Sequence, residues 1–348
     1  MATNNQIDVL VYGLGAIGSF YAFILSRSPR VRLSVIARSN YEPVKAHGIV
    51  MNSENHGQHV VRPFRGKSRQ SRLPEESLRL EHMVSPIAVF RSAAEANMKF
   101  DYIICTHKAI AQDAVPAQLA PVADEETTTF VIIQNGVGNE DPFRARFPKT
   151  TIISCVTWTG GVQPEPGRFA QIKSEDMQVG LFPNEAADHL VEKRRLDEFA
   201  SLLTQGKTVF QVVPNIQVQR WEKVVWNAAW NSLTTLTLLD THSWLDSSAD
   251  ATPLTRRLMK EVIDVAKKCN VPIEYELIDR LIAKIRALPP IGSSMQNDYK
   301  AGKPMEVDII LGTPFKKGRE MGVPTPTLET IYLILAGVNL RLMKESQL

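Results

Sequence analysis

The feature that most constrains the fold stands near the start of the chain. An apolar run from Asp8 to Tyr12 leads straight into Gly13-Leu14-Gly15-Ala16-Ile17-Gly18. A short apolar run ended by glycine reads as a buried strand, and Ala16 to Ser26 carries a helical pattern. Glycines at 13 and 15 let the backbone turn tightly and approach a pyrophosphate. Gly18 lets the helix lie close on its sheet, and the helix N-terminus offers partial positive charge. Alone such a glycine fingerprint is weak. Directly after a strand and opening a helix, it commits the first half of the chain to a dinucleotide-binding α/β sheet, with Gly13, Leu14, Gly15, Ala16, Ile17 and Gly18 as the phosphate cradle.

Further alternation of strand and helix supports a parallel sheet covered by helices. Strands are expected over Val31–Ala37, Asp101–Thr106 and Thr129–Gln134. The polar stretch from Asn52 to Pro86 reads as an edge hairpin or a mobile insertion, with no clear chemistry. Residues 150–213 read as β-like, broken at Gly160-Gly161 and at Pro164 to Gly167. Near Pro214 the pattern changes to long helices, interrupted at Pro289 to Ser294 and again after Met321. A chain of 348 residues exceeds one ordinary domain. The expected division is 1–213 for the nucleotide-binding domain and 214–348 for an all-α substrate domain.

A formal net charge of +3, from 40 basic and 37 acidic residues, gives no basis for nucleic-acid binding, though it suits an anionic ligand. Cys105, Cys155 and Cys269 lie too far apart for a disulfide framework or a zinc site and read as reduced thiols. No metal site is expected. No apolar run reaches membrane-span length and no signal peptide precedes the first strand, so cytosol is the expectation. The terminal Ser346-Gln347-Leu348 resembles a peroxisomal address but lacks its cation.

The second expected strand ends at Ala37-Arg38. An NAD-specific protein usually carries an acid there for the ribose 2′-hydroxyl, whereas an arginine suits a 2′-phosphate. Arg38 therefore favours NADPH/NADP+, with Ser39 and Asn40 as possible helpers; the alternative is a solvated surface arginine. Lys108 and Asn135 follow the next two strands at the sheet edge that lines the ligand crevice. A lysine there can hold anionic groups, and an asparagine can orient a nicotinamide or a substrate carboxylate. His107 reads as a loop or packing residue.

In the helical half, Lys223, Asn227 and Asn231 recur at intervals of four. Each step advances about 40°, so all three emerge along one stripe of an otherwise apolar helix. One reading is an amphipathic helix whose polar stripe faces water. The other is a polar cleft for a small oxygen-rich molecule, with Lys223 as proton donor. Trp226, Trp230 and Trp244 line either a core or an apolar pocket. Pro304 suits the first turn of a helix, which makes Glu306 either a capping carboxylate or an active-site residue.

Taken together, GLGAIG, THKA around Lys108, QNGVGNE around Asn135, WEKVVWNAAWNSLT around Lys223, and SSMQND followed by GKPMEVD make the chain similar to the ketopantoate reductase (2-dehydropantoate 2-reductase) family over nearly its whole length. The resemblance implies a Rossmann N-terminal domain, an all-α C-terminal domain, and NADPH-dependent reduction of a 2-oxo acid in the cleft between them, as in pantothenate biosynthesis. Carried over, Lys223 is the catalytic lysine and Glu306 the active-site glutamate. Asn227, Asn231 and Ser294 contact substrate, Lys108 and Asn135 lie near cofactor and substrate, and Arg38 holds the 2′-phosphate. The chain departs from the family pattern at Ser232, Asp240-Thr241, Met305 and Leu311, which leaves open which 2-oxo acid is used. A D-2-hydroxy acid dehydrogenase for a branched or aromatic acid is the alternative, and an NADP-binding regulator without turnover is a third reading. A homodimer through the helical half is also expected.

Overall fold

The computed structural model describes residues 6–63, 86–172 and 174–345. By their internal contacts these form two compact units. The first comprises the chain up to Lys108, Asp113–Gln134 and Glu140–Ile216; the second comprises Ala109–Gln112, Asn135–Asn139 and the chain from Gln217 onward.

In chain order the strands of the first unit are β1 (Ile7–Tyr12), β2 (Val31–Ile36), β3 (Ile49–Ser53), β4 (Gly57–Val61), β5 (Ala88–Phe90), β6 (Tyr102–Cys105), β7 (Thr129–Ile132), β8 (Thr151–Thr157), β9 (Gly161–Glu165), β10 (Arg168–Gln171), β11 (Met177–Leu181) and β12 (Gln211–Val212). Its helices are α1 (Ala16–Ser26), α2 (Tyr41–His47), α3 (Ala93–Ala96), α4 (Val115–Leu119), α5 (Asp141–Arg146) and α6 (His189–Gly206). The main sheet runs β12-β11-β8-β7-β6-β1-β2-β5, parallel throughout except at β8/β11. This is the expected Rossmann sheet. The winding goes from β1 outward to β2 and then returns to place β6 on the other side. The switch point at the carboxyl ends of β1 and β6 is where such sheets bind ligands. Gly13 and Thr106 to Lys108 follow those two strand ends. Apolar clusters pack against the sheet: α1 and α6 side chains around Val9, Val35 and Ile104, and α4 and α5 side chains around Leu10, Ile103 and Phe130.

A second, four-stranded sheet, β4-β3-β10-β9, completes the unit. Its β3–β4 hairpin bears out the hairpin expectation for the start of the Asn52 to Pro86 stretch. Residues 64–85 of that stretch lie outside the described residues. The β-like reading of 150–213 needs correction, because α6 occupies 18 residues of it. The signal was present in the sequence. Buried Leu196, Phe199, Leu203 and Gly206 recur at helical spacing, and Asp188 caps the N-terminus by accepting from the Leu190 amide.

The second unit is helical: α7 (Ile216–Thr237), α8 (Thr241–Leu245), α9 (Ala251–Lys268), α10 (Glu276–Ala287), α11 (Ser294–Lys300), α12 (Thr313–Glu320) and α13 (Pro326–Glu345). One core cluster, from Val224 and Val225 through Met259, Ile285, Ile310 and Leu335, ties them together. Val307 opens the stretch ahead of α12, and Asp308–Gly312 forms a π-helical turn. Pro314 follows that turn and has no N–H to direct at the Ile310 carbonyl, which accounts for the local widening. No helix among the described residues is long and apolar enough to cross a membrane. Ser346 to Leu348 lie outside the described residues. Cys105, Cys155 and Cys269 form no disulfide among the described residues.

Candidate active site

The glycine cradle belongs wholly to the first unit. Gly13 sits at φ +103°, and a Cβ there would stand 2.3 Å from the His107 amide nitrogen. At Gly18 a Cβ would lie 2.1 Å from the Gly13 carbonyl oxygen. Both positions therefore require glycine for packing and backbone reasons. Gly15 differs: a Cβ there would meet nothing within 4 Å. The first turn of α1 also has no side-chain cap and no acid. Open backbone N–H groups facing open space fit a dinucleotide phosphate.

The polar side chains around the cradle are spent on the frame. Asn40 is buried, donating to the Leu14 carbonyl at 2.7 Å and accepting from Gln163 Nε2 at 2.8 Å and the Gly167 amide at 3.0 Å. The expectation that Asn40 contributes ligand bonds is corrected here, because both ends of its amide are engaged. Thr106 Oγ1 donates to the Gly13 carbonyl at 2.8 Å. His107 packs edge-on against Tyr12, and its carbonyl accepts from Gln134 Nε2 at 2.7 Å. Arg38 and Ser39 are exposed just past β2, and Arg38 is close enough to Tyr12 to act on it electrostatically. Lys108 is exposed just past β6.

The remaining candidates belong to the second unit. Lys223, Asn227 and Asn231 share one stripe of α7, with Asn227 and Asn231 buried. This overturns the reading in which the stripe simply faces water. Lys223 keeps part of its surface accessible, but desolvation is the largest influence on its ammonium. Burial first, and then the Arg220 cation, bring its pKa down to about 8 against the opposing Glu306 carboxylate. Arg220 lies one turn before Lys223, is 1% exposed, and donates to the Gly136 carbonyl at 3.0 Å. The sequence reading passed over Arg220, although its three-residue offset from Lys223 sets it on the same side of the helix.

Glu306 precedes the first helical residue, so the expectation that it sits inside a helical first turn is corrected. Its carboxylate accepts from the Ala109 amide at 2.9 Å and from Asn135 Nδ2 at 3.1 Å. It is thus not spent on capping its own helix. Gly136, at φ +91°, lies so close to the π-turn that a Cβ would stand 2.6 Å from the Ile309 carbonyl. That wedge, the Arg220 bond and a 2.8 Å bond from Asn139 Nδ2 to the Asn135 carbonyl fix Asn135 beside Glu306. Asn139 and the Ala109 amide were not foreseen either; a backbone donor leaves no trace in residue type.

Ser294 is exposed at the start of α11, while its neighbour Ser293 caps that helix by accepting from the Gln296 amide. The departures from the family pattern have structural roles. Ser232 is buried and bonds back to the Ala228 carbonyl of its own helix. Asp240 caps α8 through the His242 and Ser243 amides. Met305 and Leu311 are core residues. Trp230 is buried, edge-on to Trp226.

Two family descriptions match the chain: "Ketopantoate reductase PanE/ApbA" over residues 9–184 and "Ketopantoate reductase PanE/ApbA C terminal" over 215–339. The chain belongs to the ketopantoate reductase family. Its members are oxidoreductases, and a nicotinamide cofactor suits the cradle described above. Among solved structures, 2-dehydropantoate 2-reductase from Methylococcus capsulatus is 30% identical, with a TM-score of 0.79 over 97% of this chain and 98% of that one. The uncharacterized protein YDL144C of Saccharomyces cerevisiae is 27% identical over 98% of this chain and 96% of its own length. D-mandelate dehydrogenase, solved with NADH and anilino(oxo)acetate, shares the fold at 18% identity, with a TM-score of 0.78 over 97% of this chain and 99% of that one.

Proposed function

We propose that the chain reduces a 2-oxo acid to a 2-hydroxy acid with NADPH, its substrate being 2-dehydropantoate and its product pantoate. The observation that carries this reading is a lysine ammonium brought down to about 8 on a helical stripe it shares with two buried carboxamides. A general acid works best when its pKa lies near the working pH. Bound NADPH supplies the hydride. Lys223 donates a hydrogen bond to the carbonyl oxygen as charge builds there, and then the proton. Asn227 and Asn231 hold the substrate's oxygens, Ser294 its carboxylate, and Glu306 a substrate hydroxyl. Asn135 and the Ala109 amide hold Glu306 in place. Lys108 and Arg38 meet the cofactor, Arg38 at the 2′-phosphate. The preference for NADPH is supported by an exposed arginine where an NAD-specific sheet carries an acid.

Loss of NADPH absorbance with 2-dehydropantoate tests the reading. Reduction needs protonated Lys223, so kcat/KM should be level at lower pH and fall as pH rises through about 8. The reverse reaction should rise over the same range. Absence of that limb in both directions would remove Lys223 as the acid. A second reading, an aromatic 2-oxo acid as in the mandelate enzyme, is supported by the Trp226–Trp230 pair; faster turnover of phenylglyoxylate than of 2-dehydropantoate would favour it.

Self-association is part of the proposal. The outer face of α13 exposes Leu333, Ile334 and Leu340, with Glu329 toward one end and Lys344 toward the other. Two antiparallel copies crossing near Gly337 would bring the acid of one against the base of the other. Light scattering should give a dimer mass that falls to the monomer in Leu340→Glu; a wild-type monomer would refute it.

A further inference from the structure

The α7 helix treats its buried polar groups in two ways. Ser232, Thr234 and Thr235, all buried, each return a hydroxyl bond to the carbonyl four residues back. Asn227 Nδ2 and Trp230 Nε1 have no hydrogen-bond partner among the described residues, although the residues are 6% and 2% exposed. A buried donor without an acceptor is costly, and native folds leave few of them. These two donors, three residues apart on α7, point to a common acceptor that the described residues do not provide.

Their position supports this. Trp230 lies seven residues beyond Lys223, within about 20° of it around the helix. It stands on the Lys223–Asn227–Asn231 stripe, and helical side chains lean toward the N-terminus, which carries the indole toward Asn227. A hydrophobic residue would fill the same core space without an orphaned N–H. The edge-on contact with Trp226 holds the ring against rotation at 5.9 Å between centroids.

We propose that Trp230 is a specificity-determining residue whose indole N–H donates to an oxygen on the distal part of the substrate, beyond the carbon that Lys223 serves. The inference rests on the 2-oxo acid reductase reading and refines it. The preferred substrates are 2-oxo acids bearing a hydroxyl or carbonyl oxygen on the side chain, in preference to equally large hydrocarbon ones. A site built to bond an oxygen discriminates strongly against an analogue lacking it, because its donor is then left unpaired.

The test compares two isosteric acids, 4-hydroxy-3,3-dimethyl-2-oxobutanoate and 3,3-dimethyl-2-oxopentanoate, in the wild type and in Trp230→Phe. Retained NADPH affinity serves as the check on folding. The wild type should favour the hydroxylated acid in kcat/KM, and Trp230→Phe should cut that ratio by about tenfold. An unchanged ratio, including equal losses on both acids, overturns the proposal. A second readout needs no turnover: the indole 15N–1H signal lost in Trp230→Phe, followed in wild-type protein with NADP+. It should move on adding pantoate and stay still with 2-hydroxy-3,3-dimethylpentanoate. If neither 2-oxo acid is reduced but the signal moves with pantoate alone, the donor assignment stands and the reductase reading falls. No movement with pantoate overturns the assignment.

Discussion

The two halves of this chain prepare for their ligands in opposite ways. Around the glycine cradle these side chains are used up on the protein itself: Asn40 makes four bonds to the frame and Thr106 ties down Gly13. What is left open is backbone, the uncapped first turn of α1 and the space in front of Gly15. Along α7 the reverse holds. The backbone is sealed in a long helix, and the side-chain donors of Asn227 and Trp230 are left without partners among the described residues. A pyrophosphate is common to many cofactors, and main-chain N–H groups suffice for it. A particular acid needs side chains, and these carry the cost of standing desolvated without a ligand.

The contrast can be broken at its strongest point first. Lys223→Ala should lower kcat by a factor on the order of 10²–10⁴, the usual worth of a positioned general acid, while NADPH affinity stays near wild type. Comparable turnover in that variant would remove Lys223 from the chemistry. Next, Asn40→Ala should cost about 1–3 kcal/mol of stability, since it strands the Leu14 carbonyl, Gln163 and the Gly167 amide in a buried frame. Chemical denaturation measures this, and an unchanged midpoint would mean that the cradle does not depend on its side-chain frame. Arg38→Ala should weaken NADPH by roughly tenfold and spare NADH, as expected for one exposed charge-assisted contact. Equal weakening of both would show that Arg38 does not read the phosphate. The smallest effect sharpens the comparison most. Asn227→Leu, matched in size, should leave folding stability nearly unchanged, because it deletes a donor that bonds nothing among the described residues, yet it should raise KM. A loss of stability as large as that of Asn40→Ala would erase the distinction between the two halves.

Much of this was legible in the sequence, for physical reasons. A glycine that must hold φ +103° against another strand's backbone can be nothing else, so Gly13 is visible in one letter. The Lys223 stripe follows from helical periodicity alone. Asp240 and Ser293 are residues whose preferred local bonding is a helix cap, and that is how they are used. What stayed hidden depends on distant partners. Residue type cannot tell that Asn40 is consumed by Gln163, 123 positions away, while Asn227 Nδ2 meets no acceptor among the described residues. The acceptor role of Glu306 toward Ala109 likewise needs a bond 197 positions long. The α6 helix was missed for a different reason, since its periodic apolar residues are diluted among charges.

The allotment of Ala109–Gln112 and Asn135–Asn139 to the helical unit limits how the gene can be cut. A fragment beginning at Gln217 would lack the carbonyl that anchors Arg220, the glycine that wedges against Ile309, and both groups that bond Glu306. The bundle is therefore not a cassette that recombination could transplant onto another nucleotide-binding domain at a single junction. A functional chimera would have to carry three stretches of sequence together, and a lineage of such proteins should change its substrates by point substitution along α7 more readily than by exchange of whole domains.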